Sequence, residues 1–208
     1  MIKINNVTKK IKSNVILQDI TLELKEGKIY GFVGKNGSGK SMLLKTIAGF
    51  ISPDKGSIVA DGKKLYDEKI FLPSTRVMID KPHFFENLSG KENLELLASI
   101  QNTITDADIE NVLLKIKLAD VKDKKYKTYS LGMKQKLAIA QVIMEDAKNL
   151  ILDEPFNSLD MASVDLVRKI LLEERSKDKI IIITSHIKED IEMLCDEVFY
   201  IESGKIKN

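Results

Sequence analysis

Three consecutive pieces near the N-terminus leave this chain few ways to fold. The compact apolar run IYGFVG (residues 29–34) enters GKNGSGKS, Gly34 to Ser41, and SMLLKTIAGF follows with apolar groups at helical spacing. The loop fits G-x-x-x-x-G-K-[ST], and strand, glycine loop, helix is the context in which that pattern cradles phosphates. Gly37 and Gly39 let backbone approach anionic oxygens and turn several N–H groups inward. The helix beginning near Gly39 adds the positive end of its dipole. Lys40 supplies a cation for the outer phosphates, and the Ser41 hydroxyl is placed to bind Mg²⁺.

The 208 residues suit one domain with its own core. A formal charge of +2 with both signs interspersed makes no electrostatic case for nucleic acid. The most basic short run, Lys122 to Lys127, reads as a solvated surface segment. The lone cysteine, Cys195, excludes an internal disulfide and a thiolate metal cluster, and reads as a small buried hydrophobe. No apolar run approaches the roughly 18 residues of a membrane span, and MIKINNVTKK lacks the apolar centre of a signal peptide. A cytoplasmic protein is expected, with any membrane supplied by another chain.

IKINNV and ILQDITLEL alternate apolar and polar residues, as half-buried antiparallel strands do, and Gly27 marks a turn. Ser89 to Glu92 and Thr105 to Asp108 have the spacing of capping boxes, each opening an amphipathic helix. A third helix is expected over about Leu131 to Met144. The last third returns to α/β rhythm: a buried strand over Asn149–Asp153, a helix over about Met161–Glu174, and a second buried strand over Lys179–Ser185. The continuous branched residues of that strand suit a parallel sheet covered on both faces. A hairpin turning at Ser203-Gly204 closes the chain. The expected fold is α/β: a P-loop core (about 1–81 and 136–208) with a mostly parallel sheet, an N-terminal antiparallel β-subdomain, and an inserted helical subdomain over about 82–135.

Asp153 and Glu154 follow an apolar strand and so belong at the carboxyl edge of the sheet, where ligands of such folds bind. Asp153 can hold Mg²⁺ through a water, and Glu154 can reach the water that attacks a γ-phosphate. His186, after the second buried strand, can bridge phosphate, water and carboxylate. His83 has no comparable context and reads as structural. In YSLGMKQKLAIAQ, Ser130 can cap the following helix and Gly132 lets something approach its first turn. That exposed helix start is a second anion site, apart from the first.

Taken together, in this order, these segments resemble the ATP-binding subunit of ABC transporters over nearly the whole chain. GKNGSGKS resembles the Walker A loop, LILDEP the Walker B strand with its catalytic glutamate, NSLD the D-loop, SLGMKQ the signature, and His186 the switch histidine. The resemblance implies an ATPase with ATP and Mg²⁺, in which Lys40, Glu154 and His186 serve hydrolysis. It implies nucleotide contacts from Gly34, Asn36, Gly37, Ser38, Gly39, Lys40, Ser41 and Met42. It also implies a head-to-tail dimer with a second copy or a paralogue, in which Ser130 and Gly132 touch the phosphate held by the partner. An integral-membrane permease would be the other partner, seating the subunit at the inner face of the membrane. YSLGMKQ and ENLSGKENLELLA look like the exporter subgroup of bacitracin and lantibiotic resistance transporters. Phe84 and Phe85 are then expected in the core of the helical insertion, with a place in the permease groove as the alternative.

Departures from the family pattern are specific. Leu131 stands for a signature glycine, Met133 for its glutamine, Met42 for a hydroxyl, and Ile11 for the aromatic that stacks on adenine. Asp80 replaces the glutamine that faces Mg²⁺ and is expected as a third metal ligand beside Ser41 and Asp153. A chromosome-structure ATPase would need a long coiled coil before the signature, a translation factor two such heads, and a GTPase an N-K-x-D motif; none is present. A regulatory ATP-binding subunit with a degenerate site stays open as the alternative.

Overall fold

Alternation at the N-terminus becomes an antiparallel sheet. In the computed structural model, which describes residues 1–67, 71–80 and 83–207, β1 (Ile2–Ile11) pairs with β2 (Asn14–Leu24). The buried face of β1 switches from Ile2 and Ile4 to Val7, because a bulge at Asn6 (φ 48°) shifts the register by one residue. The Asn6 amide donates to Asp19 Oδ1 across the bulge at 2.8 Å.

β3 (Lys28–Val33) runs into the glycine loop, and α1 (Lys40–Ala48) leaves it, burying Leu43, Leu44 and Ile47 and stopping at Gly49 in the left-handed region. Residues 51–79, which carried no element in the sequence reading, form β4 (Lys55–Ala60), β5 (Lys63–Lys64) and β6 (Thr75–Met78). The signal for the first two was the Asp61-Gly62 pair, whose positive φ values of 49° and 81° make a tight hairpin turn. β2, β1, β4 and β5 lie side by side, all antiparallel.

Both capping boxes form in full, at Ser89/Glu92 before α2 (Gly90–Gln101) and at Thr105/Asp108 before α3 (Asp106–Lys115). Two short 3₁₀ turns, Ala119–Val121 and Tyr126–Thr128, lead to Ser130, which caps α4 (Leu131–Ile143). Phe84 is partly buried against this region, with its ring 5.1 Å from that of Tyr126, whereas Phe85 is 62% exposed. The two aromatics thus divide: one joins the core, the other faces outward. Of the expected boundaries, 81/82 lies outside the described residues, and 135/136 falls inside α4, which runs unbroken onto β6 and β7.

β7 (Asn149–Leu152), α5 (Met161–Arg175), β8 (Ile180–Ser185), α6 (Lys188–Glu192) and the hairpin β9 (Glu197–Glu202)–β10 (Lys205–Lys207) complete the chain. The second sheet has the order β10-β9-β3-β8-β7-β6, parallel throughout except at its β10 edge. Every residue of β7 and β8 is buried, including the polar Asn149, Thr184 and Ser185 beside their runs of branched and leucine residues. The fold is the α/β architecture the sequence implied.

Below the sheet, Glu174 is 2% exposed and accepts from Lys179 Nζ at 2.6 Å, Lys177 at 2.9 Å and Lys115 at 3.3 Å. Burial pushes its carboxyl up, but the neighbouring ammonium groups more than offset this and hold it below the usual carboxylate range. A depressed carboxylate stabilises the fold above its unfolded-state pKa and loses that contribution as pH falls through the lower folded value. Glu174→Gln should therefore leave buried Lys179 with only the exposed Asp146 carboxylate, 2.7 Å away, as charge partner and lower stability at neutral pH by about 3 kcal/mol. In a domain of this size that is a fall in Tm of about 6–12 °C, with a smaller gap between variant and parent in acid. Thermal unfolding followed by circular dichroism across pH measures both.

Candidate functional site

The carboxyl ends of β3, β8 and β7 are neighbours in the sheet, so the residues following them meet at one edge. β3 delivers the glycine loop. Gly37 (φ 79°) and Gly39 (φ 110°) take backbone conformations that L side chains rarely adopt, and a Cβ on Gly37 would project into open space where an anion can approach. The loop is braced from behind: Gly204 N–H donates to Ser38 O at 2.9 Å, and Gln18 N–H donates to Gly204 O at 2.8 Å. The Ser203-Gly204 turn thus wedges between the glycine loop and β2.

Lys40 is 6% exposed. Its ammonium donates to Gly34 O at 2.6 Å and Lys35 O at 3.3 Å, and lies 3.6 Å from Glu154 Oε1. The Ser41 hydroxyl donates to Asp153 Oδ2 at 2.5 Å. After β7, Glu154 stands in the left-handed region (φ 52°), a strained conformation for this residue and of a kind that clusters at functional sites. The turn aims its carboxylate at His186, with Oε2 at 2.8 Å from Nδ1 and 3.3 Å from the His186 backbone N–H. One carboxylate therefore joins the glycine-loop lysine to the histidine after β8.

Two residues that the sequence reading passed over hold this arrangement. Thr184 Oγ1 donates to Asp153 Oδ1 and accepts from Glu154 N–H at 2.9 Å. Its hydroxyl in the otherwise isoleucine run IIIITS was the available signal. Gln135, inside the SLGMKQ motif but given no role of its own there, donates through Nε2 to Glu154 O at 3.1 Å and Pro155 O at 3.0 Å, a contact that motif spacing does not show. Asp80 lines the same cleft as Asp153 and Glu154, but its carboxylate pairs with Lys45 of α1, whose Nζ lies 2.6 Å from Oδ2.

Ser130 and Gly132 stand apart from the glycine loop, at the start of α4. Ser130 Oγ accepts from Met133 N–H at 3.2 Å, and Leu131 beside it is 73% exposed. What approaches the first turn at Gly132 is the Ser158 carbonyl of the NSLD loop, 3.0 Å from the place of a Cβ. A cleft of about 690 Å³ opens between Glu154, Asn157 and Ser158 on one side and Phe84, Leu131 and Lys134 on the other, with His83 also on its wall. Cys195 is packed beneath Gly31, and burial pushes its thiol up to about 12, which fits the reading as a small hydrophobe.

The donor set suits nucleotide and metal. A hydroxyl and a carboxylate in contact at the start of a phosphate-loop helix are hard oxygen ligands of the kind Mg²⁺ takes together with substrate phosphates. Among the described residues no group of three or more His, Cys, Asp or Glu is placed to hold a metal alone.

A mostly parallel sheet with a phosphate loop, a strand-end carboxylate pair and a histidine in contact with it define the class of P-loop nucleotide hydrolases. Residues 17–157 match the family model described as ABC transporter. The chain is 40% identical over 207 residues to the uncharacterized ABC transporter ATP-binding protein YybJ of Bacillus subtilis, covering 100% of this chain and 95% of that one. It is 34% identical over 206 residues to the lantibiotic transport ATP-binding protein SrtF of Streptococcus pyogenes, covering 99% and 89%. A solved structure, the dimeric structure of the bacterial ABC transporter cassette MJ0796, superposes with a TM-score of 0.87 at 22% identity, covering 100% and 97%. The chain belongs to the ABC transporter family, as an ATP-binding and ATP-hydrolysing subunit.

Proposed function

We propose that the chain drives export through a separate membrane permease, by ATP-dependent closure of a head-to-tail dimer with a second copy or a paralogue. The observation that carries this reading is the carboxylate of Glu154, which faces Lys40 at 3.6 Å and His186 at 2.8 Å. Glu154 accepts the proton of the attacking water, and His186 holds the carboxylate and the water in line. Lys40 and the N–H groups of the glycine loop bind the β- and γ-phosphates. Gly34, Asn36, Gly37, Ser38, Gly39, Ser41 and Met42 complete that cradle. Ser41 and Asp153 would hold Mg²⁺, which neutralises phosphate charge when bound. For Asp80 to join them, its ion pair with Lys45 has to open.

Ser130 and Gly132 are proposed to bind the γ-phosphate held by the partner. The contacts exist only in the closed dimer, so ATP favours closure and loss of phosphate releases it, which is the differential affinity a population shift requires. The export direction is supported by likeness to a protein named for lantibiotic transport. The subunit is assigned to the cytoplasmic face of the membrane, held there by the permease, by its likeness to a protein named for transport; no helix among the described residues is long and apolar enough to cross a bilayer. A core and a helical region, with α4 shared between them, are proposed as its two moving parts.

Phosphate release from ATP, by the purified chain and by the chain with its permease in proteoliposomes, tests the reading. Turnover that Lys40→Met abolishes is expected. ATP binding without turnover in either setting would mean a regulatory subunit instead.

Ile11 and Val15 stand 46% and 43% exposed at the β1–β2 turn, offering the base an apolar surface with no hydrogen-bond pattern to read. ATP and GTP are therefore expected to bind with dissociation constants within about fivefold of each other, under about 1 kcal/mol. Calorimetric titration with each nucleotide measures this, and a strong preference for ATP would rule it out.

A further inference from the structure

The contact between Glu154 and His186 requires that two loops leaving different strands stay in register. The Arg168 side chain reaches toward both of them. Arg168, on α5, is 14% exposed; its Nη2 lies 2.8 Å from Asp190 Oδ1 in α6, four residues after His186. The same guanidinium stacks over the ring of Phe156, two residues after Glu154, at 5.7 Å from the ring centre. Nη1 reaches Asp165 at 3.3 Å, and Nε is buried with no hydrogen-bond partner among the described residues. An arginine that tolerates a buried, unpaired N–H is held by its remaining contacts, here one to each loop.

α6 has five residues and no side-chain cap, so its own hydrogen bonds do little to hold it. Its placement comes from outside. Ile191 lies over Gly31, where any Cβ would collide with it at 2.2 Å. Glu192 accepts from Tyr200 Oη at 2.8 Å and pairs with Lys188 at 3.1 Å. These contacts tie α6 to β3 and β9. Arg168 is the contact that ties it toward Phe156 and so toward Glu154.

We infer that Arg168 is a positioning residue for hydrolysis, a clamp between the segment carrying His186 and the loop carrying Glu154. It touches neither nucleotide nor water and acts through the register of the histidine. The inference rests on the assignment of Glu154 and His186 to hydrolysis, and it deepens that assignment by naming what keeps the pair together. Loss of register by about 1 Å is enough to slow a reaction of this kind by up to about 100-fold.

The test compares Arg168→Met, which keeps length and apolar contact, with His186→Ala and with the double variant. Arg168→Met is expected to lower the rate of ATP hydrolysis by about tenfold or more, with ATP affinity and Tm close to those of the parent. In the His186→Ala background the same substitution should change the rate by less than about twofold, since residues that act through one another are non-additive. The chain has two histidines, so the imidazole nitrogen resonances of His186 are easily assigned, and they report the clamp without turnover. In Arg168→Met they should move toward the values of a free imidazole while those of His83 stay. Arg168→Lys, whose ammonium can still reach Asp190 and lie over the Phe156 ring, should hold them near the parent values. Unchanged His186 resonances, or rate losses that simply multiply with His186→Ala, would overturn the inference. If His186→Ala itself leaves hydrolysis intact, the catalytic reading of His186 falls, and the resonances still decide whether Arg168 places the ring.

Discussion

Glu154→Gln should bind ATP, stop turning it over, and become a dimer. The amide keeps the size of the carboxylate and can still contact His186, but it does not accept a proton from water. General-base catalysis by a well-placed carboxylate contributes about 10²–10⁴-fold, and that factor should be lost from the hydrolysis rate while the affinity for ATP is kept. Removing the carboxylate also removes a negative charge 3.6 Å from the Lys40 ammonium, at the place where the γ-phosphate is proposed to lie. Less repulsion and no hydrolysis both prolong the closed state. Light scattering should give a mass near the 23.5 kDa of one chain without nucleotide and twice that with Mg-ATP. A persistent monomer, with ATP binding measured separately, would point to a heterodimer or to closure that requires the permease.

The second large effect concerns the start of α4. Gly132→Asp places a carboxylate beside the Ser158 carbonyl, where even a bare Cβ sits at 3.0 Å, and sets a negative charge at the proposed anion site. Lys40→Met removes the cation from the glycine loop. Each variant alone should be inactive, because every composite site in its homodimer lacks one half. Mixed in equal amounts, the two should recover about a quarter of the parent rate: half of the dimers are mixed, and one of the two sites in each is whole. Parent-like Tm values for both variants guard against misfolding. A mixture as inactive as its components would mean that Ser130 and Gly132 do not act in trans. The exchange of Leu131 and Met133 into the signature would then have changed how this surface works.

Asp80 marks where inference from pattern reached its limit. Its position in VMIDKP suggested a metal ligand, and the structure gives it a partner in Lys45 that no spacing rule connects to it. The same holds for Gln135, which holds the Glu154 and Pro155 carbonyls from another helix. β5 and β6 escaped because they are short and lie at sheet edges, so neither alternation nor an unbroken apolar run had room to develop, and β4 opens on Lys55-Gly56-Ser57, which carries no apolar signal. Phe84 and Phe85 are adjacent aromatics with one sequence context, and only packing separates a ring set against Tyr126 from one facing solvent.

What the sequence determined by itself was local in origin. Left-handed glycines fit the phosphate loop, branched residues in series fit β7 and β8, and a hydroxyl three residues before an acid capped α2 and α3. Each of these depends on torsion angles and on contacts within a few residues, and so is written into a short segment. The tertiary structure decided the rest: the strand order that sets β3, β8 and β7 side by side, the turn at Gly204 behind the glycine loop, and the meeting of Lys40, Glu154 and His186. Those contacts join residues roughly thirty or more positions apart along the chain. Their energies come from burial and from charges brought together across the core, which depend on the whole packed chain and leave no periodic trace along it.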